Sequence, residues 1–146
     1  MKDKLMQVFV LSGVYFIISA FLGLISQHFN LLAALVFPVF LFSLLFLTFF
    51  KPLNWVMKFE DNFPSVVLLL NIFGIYAIIY FTVNVLGMSL SYITGKDTVI
   101  SIFYQEWGET INTGIDLVFY FGLIVALLLI LVRKFREAVN KKTQKL

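Results

Sequence analysis

Four stretches of the chain are almost free of charge, and each is about as long as a bilayer is thick. They cover about 5–25, 31–50, 65–88 and 113–132. Crossing about 30 Å of hydrocarbon at 1.5 Å per residue takes about 20 apolar residues, so each qualifies as a span. The apolar runs are continuous rather than alternating, which predicts helices and not barrel strands. Lipid enforces that choice, because only helices and closed barrels satisfy their backbone away from water. Only Ser26, Gln27, His28, Phe29 and Asn30 part the first two runs, so those helices are expected to be antiparallel neighbours. The pattern predicts an all-α integral membrane protein. Its single domain, 1–146, holds four transmembrane helices in an up-down bundle.

Two connections carry patterns of their own. Between the second and third runs, Pro52 suits the first turn of a helix, and Leu53, Val56 and Met57 then share a face beside Trp55. This predicts a short amphipathic segment in the headgroup layer, with an irregular aromatic loop as the alternative. Between the third and fourth runs, Asp97 or Thr98 is placed to cap a helix whose face carries Val99, Ile102, Phe103 and Trp107. A strand with Ile100, Ile102 and Tyr104 on one side fits less well. Either form is too apolar to stand free in water, so the segment is expected on the membrane, on the bundle or on a partner.

Composition turns this pattern into an exclusion. Of 146 residues, 61% are hydrophobic and 13% charged, with mean hydropathy +0.98. A soluble domain averages about 45–50% apolar and about 25% charged, and a small one exposes about half of its residues. A soluble enzyme, a nucleic-acid binder and a disordered chain all fit poorly. The fourth run tolerates the acid at its edge. Leu117–Val132 holds 13 Leu, Ile, Phe or Val, roughly −4 to −8 kcal/mol toward insertion, whereas Asp116 opposes with at most about 3.

Charge placement predicts orientation. Lys2, Lys4, Lys51, Lys58, Arg133, Lys134, Arg136, Lys141, Lys142 and Lys145 share one side, and of the 11 basic residues only Lys96 falls on the other. The split is about +6 against −3, so both termini are expected in the cytoplasm of a cell whose plasma (inner) membrane holds the protein. The first apolar run, 21 residues, exceeds the roughly 7–15 of a signal-peptide core and lacks an A-x-A site, which predicts an uncleaved anchor. The basic tail, 133–146, is expected on anionic lipid.

Candidate chemistry is sparse. There is no cysteine and one histidine, His28, which removes disulfides, thiolate chemistry and a histidine metal cage. In the first span Ser12, Tyr15, Ser19, Gly23 and Ser26 form one stripe, for close helix packing or for lining a pore. Gly122 and Ala126 offer the same choice in the fourth. Pro38 predicts a kink in the second, because it removes a backbone hydrogen bond and crowds the Ala34 carbonyl. In the third, Asn71 is the deep polar residue, and Tyr76, Tyr80, Asn84, Gly87 and Ser91 make a second stripe. Asn71 and Asn84 read first as interhelical hydrogen-bonding groups and second as a polar lining.

Asp116 is the one acid able to enter the bilayer. It is expected about one turn inside the outer boundary, within reach of Lys96. Glu106 and Glu109, spaced i, i+3, are the weak candidates for a divalent cation, with Asp116 and His28 on the same side. No metal-binding motif accompanies them, so neither metal nor cofactor is expected.

No positioned acid, base and nucleophile set is visible, so a non-enzymatic role is expected. The reading is an accessory or assembly subunit acting through helix contacts with itself or another membrane protein. A homo-oligomeric channel or small transporter is the alternative, and an outer-face metal-dependent enzyme a third. In outline, small, multi-span and lysine-tailed, the chain is similar to phage holins, by composition and without a motif. Partners expected are the lipid bilayer and membrane proteins, not nucleic acid.

Overall fold

A computed structural model describes residues 2–51, 53–94 and 99–143. The chain is helical almost throughout: α1 (Lys2–Ile25), α2 (Gln27–Phe50), α3 (Asn54–Asn62), α4 (Pro64–Thr94) and α5 (Val99–Thr143). Among the described residues four helices are long and apolar enough to cross a membrane, over Lys4–Ile25, Gln27–Phe50, Pro64–Leu90 and Gln105–Lys141. That makes the chain a multi-pass membrane protein.

The breaks between helices are shorter than the polar residues suggest. Ser26 alone separates α1 from α2. Its extended backbone (φ −155°, ψ 134°) lets its Oγ accept the His28 N–H at 3.4 Å, a serine N-cap that satisfies one orphan donor of α2. Residues 27–30 therefore join the helix rather than the turn. At the other end of the hairpin, Lys4 Nζ donates to the Phe49 carbonyl at 3.1 Å and stands 4.8 Å from the centre of the Phe49 ring. Phe63 separates α3 from α4, and Pro64 opens α4, where its missing N–H costs nothing.

The 51–64 connection does contain a helix. In α3, Val56 is fully buried against Val10 of α1 and Val67 of α4, while Trp55 is exposed. The start of α3 is tied down by Gln7, whose Oε1 accepts the Leu53 N–H at 2.9 Å. Pro52, expected in the first helical turn, lies outside the described residues.

The larger departure is α5. The segment expected as a separate amphipathic piece from 94–112 is, from Val99 onward, the first part of one 45-residue helix. At 1.5 Å per residue it is about 67 Å long, twice a hydrocarbon core. The reason is local. No proline falls between Val99 and Thr113, and Gly108 costs only about 1 kcal/mol. Phe103 and Trp107 stack at i, i+4 with centroids 6.3 Å apart, and Thr113 Oγ1 donates back to the Glu109 carbonyl at 2.9 Å. The strand alternative is overturned. Ile102, Phe103 and Trp107 remain half exposed, so nothing described in this chain covers that face.

Packing centres on α4, which touches every other helix. The α1–α4 contact is the closest. Gly13 sits against the backbone of Leu70 and Gly74, and Gly74 against the backbone of Phe9, so a side chain at either position has no room. One core joins Ala34, Phe37, Ala77 and Phe81, with Tyr15, Phe16 and Phe40 around them. Its rings interlock, with Tyr15–Phe40 at 4.5 Å and Phe37–Phe81 at 4.6 Å between centroids. Pro38 lies inside a continuous α2. Among the described residues α5 packs on α4 and on no other helix.

Candidate functional site

Every fourth residue of α4 from Tyr76 is polar: Tyr76, Tyr80 and Asn84. That spacing keeps them on one side of the helix, and α5 meets them. The Tyr76 hydroxyl donates to Asp116 Oδ1 at 2.6 Å. Two turns further along, Asn84 and Asn112 exchange a pair of amide hydrogen bonds, each 3.3 Å, and Asn84 Nδ2 also reaches the Tyr80 carbonyl at 2.8 Å. These bonds fix the register of α4 on α5. Around them the rings pack closely: Tyr76 on Tyr80 at 5.5 Å, Tyr76 on Phe119 at 4.2 Å, and Phe16 edge-on to Tyr76 at 5.1 Å.

On the opposite flank of this stripe, α1, α2 and α4 border an open cleft of about 610 Å³. Gln27, Asn30, Ser19, Tyr76, Tyr80 and Asn84 supply its polar lining, and Phe16, Phe81 and Met88 its apolar one. A second cleft, about 620 Å³, lies between α4 and α5. Asn84 and Met88 line both. The second adds Gln105, Glu109, Asn112, Thr113 and Asp116.

The depth of Asp116 differs from the sequence reading. Tyr76 lies twelve residues into α4 from Pro64, about 18 Å along the axis. Its ring partner Phe16 lies ten residues before Ser26, about 15 Å. The carboxylate that Tyr76 holds is therefore near mid-height of the helices, not one turn from an end. Counting apolar residues along the fourth run alone misplaced it, because α5 extends well past its neighbours. Lys96, its expected companion, lies outside the described residues. The only ion pair among those described is Arg133–Glu137 at 3.2 Å, at the basic end of α5.

The other sequence candidates are placed as follows. Ser12 and Ser19 are buried; Ser19 Oγ donates to the Tyr15 carbonyl at 2.7 Å. The Tyr15 hydroxyl crosses to the Ala33 carbonyl of α2 at 2.7 Å, one residue before the carbonyl that Pro38 deprives of its donor. Gly23 faces the Asn30 side chain. The stripe is thus turned toward α2 and α4. Asn71 Oδ1 and Ser12 Oγ are buried without a hydrogen-bond partner among the described residues. The Gly122 and Ala126 pair is divided. Ala126 is buried, whereas a Cβ added at Gly122 would meet nothing within 4 Å. His28, Glu106 and Glu109 are exposed, and among the described residues no three of His, Cys, Asp and Glu gather to hold a metal ion.

Sequence reasoning passed over Gln7, Gly13, Gly74 and Asn112. Each had a signal. Gln7 is an amide inside an apolar run, and Asn112 stands at the polar entry of another. A glycine within a membrane helix costs about 1 kcal/mol of helix propensity and so flags close packing. No family model, no curated protein and no solved structure matches this chain.

Proposed function

We propose that the protein is a non-enzymatic membrane subunit that works through helix–helix contacts, with its own copies or with another membrane protein. The observation that carries this reading is the one-sided packing of α5. Among the described residues its apolar length rests on α4 alone, and it buries the smallest share of its span of the four helices. Between α4 and α5 runs an apolar groove of about 650 Å³ lined by Ile72, Ile75, Ile79, Ile115 and Val118, with Gly114 and Gly122 open to space. In lipid no hydrophobic force drives helices together, so association depends on close approach, and small residues allow it. Two glycines kept at a helix-propensity cost in an uncovered groove suit a seat for a further helix. The inward turn of the Ser12–Ser19 stripe supports packing over pore lining.

In this reading the four spans stand as an up-down bundle with the Lys4, Lys51 and Arg133 end in the cytoplasm. The chain resides in the plasma (inner) membrane, α3 lies at headgroup level, and the basic tail rests on anionic lipid at about 1 kcal/mol per cation. The test is native mass spectrometry of the gently extracted particle. A homo-oligomer or a stoichiometric partner, lost in Gly122→Leu, supports the proposal. A monomer without a partner overturns it.

A further inference from the structure

We propose that the paired clefts around Asn84 form a binding site for an amphiphilic organic cation, an ammonium carrying an aromatic or alkyl body, with Asp116 as its counter-charge. The inference is independent of any assembly through α5.

Four observations converge on that ligand class. The first cleft, about 610 Å³, is of the size that holds small molecules, for which about 300–1,000 Å³ is usual. Its walls combine the rings of Phe16, Tyr76, Tyr80 and Phe81 with the amides of Gln27, Asn30 and Asn84. Aromatic rings attract a cation through their negative faces, and the attraction strengthens away from water. Amide oxygens accept the N–H groups of an ammonium.

The second cleft shares Asn84 and Met88 with the first and brings in the carboxylates of Asp116 and Glu109, with no basic side chain among the described residues of either lining. The two therefore present a surface of one sign, which selects cations over anions. Asp116 also needs a counter-charge. It lies within an apolar span, accepts the Tyr76 hydroxyl at 2.6 Å, and is not in an ion pair with any described residue. An ionisable group at that depth marks a functional site by default, because lipid penalises it and a structural role is met as well by a neutral amide. A hydrogen bond from a phenol orients the carboxylate without cancelling its charge.

The rings sit beside the carboxylate rather than around it. Tyr76 belongs to both features: its ring lines the first cleft and its hydroxyl holds Asp116. A ligand whose ammonium meets Asp116 and whose apolar body lies against Tyr76, Tyr80 and Phe81 uses both clefts at once. A quaternary ammonium keeps the charge but donates no hydrogen bond, so it is expected to bind more weakly than a primary one.

The experiment uses the full chain in nanodiscs of zwitterionic phosphatidylcholine, so that anionic lipid does not bind the probe, with empty nanodiscs as the blank. Equilibrium dialysis compares 4-phenylbutylammonium with the neutral isostere 4-phenylbutanol and with trimethyl(4-phenylbutyl)ammonium. The expected result is saturable binding of the primary ammonium, at least tenfold tighter than of the alcohol, with the quaternary ion between them. Asp116→Asn keeps an acceptor for the Tyr76 hydroxyl and removes the charge; it is expected to weaken the ammonium at least tenfold and leave the alcohol unchanged. Glu137→Gln removes a carboxylate at the far end of α5 and should change neither. The proposal is overturned if the ammonium binds no better than to empty nanodiscs, if the alcohol equals it on the wild-type protein, or if a folded Asp116→Asn binds it undiminished. The comparison of ammonium with alcohol needs no variant, so a variant that fails to fold does not remove the test.

Discussion

Replacing Gly74 with alanine adds one methyl group at the closest point of the α1–α4 contact. The new Cβ would stand 2.9 Å from Phe9 Cα and nearer still to the Phe9 carbonyl, all of it backbone that no rotamer change can move aside. Carbon atoms settle at about 3.5–4.0 Å, so α1 must retreat by about 1 Å along this stretch. A gap of that size forfeits a quarter to a half of each contact's dispersion energy, and overpacking of this kind costs about 1–3 kcal/mol. Alanine returns about 1 kcal/mol of helix propensity. The net expectation is a loss of up to about 2 kcal/mol for Gly74→Ala, and a similar loss for Gly13→Ala, whose Cβ would meet the Leu70 carbonyl and the Gly74 nitrogen at 3.1 Å. Gly122→Ala is the internal standard. Within one chain nothing lies within 4 Å of its Cβ, so in the dissociated monomer only the propensity gain applies and stability should hold or rise by up to about 1 kcal/mol. The assay is unfolding by SDS titration in mixed micelles, followed by tryptophan fluorescence from Trp55 and Trp107. If Gly74→Ala is as stable as Gly122→Ala, the backbone contact between α1 and α4 is not as close as described and the reasoning fails.

A double-mutant cycle on Asn84→Ala and Asn112→Ala should return a coupling of about 0.6–2 kcal/mol, the range for helix-to-helix hydrogen bonds in membranes; zero coupling would dissolve the pair. Ser19→Leu, at a position 8% exposed, should lower stability by about 1–3 kcal/mol, whereas Phe42→Leu, 74% exposed, should stay within about 0.5; equal losses in SDS titration would contradict the inward stripe. A single cysteine at Lys141 should label only from the cytoplasm and one at His28 only from outside; the reverse pattern inverts the proposed orientation.

Hydropathy located all four spans, because the need for about 20 apolar residues is a property of the solvent and not of the neighbours. Their ends were less legible. Ser26 caps α2 so closely that His28 and Asn30, polar on paper, are helical. The segment before the fourth run looked separate because its charges break the hydropathy, yet charge does not break a helix, and α5 continues through it. The α4–α5 polar contacts were half visible. Tyr76, Tyr80 and Asn84 share a stripe in sequence, but their partners Asn112 and Asp116 stand 28 and 40 residues away, and no local pattern reports such a distance.

What the chain determines by itself is its relation to the membrane: helices rather than strands and four apolar lengths, both consequences of solvent and backbone chemistry that act residue by residue. Only the tertiary structure decides which glycines touch, which polar atoms pair, how deep Asp116 lies, and that among the described residues α5 has a single neighbour. In lipid every apolar face suits the solvent as well as it suits another helix. Contacts there depend on shape and on a few hydrogen bonds, and these exist only once the helices are placed.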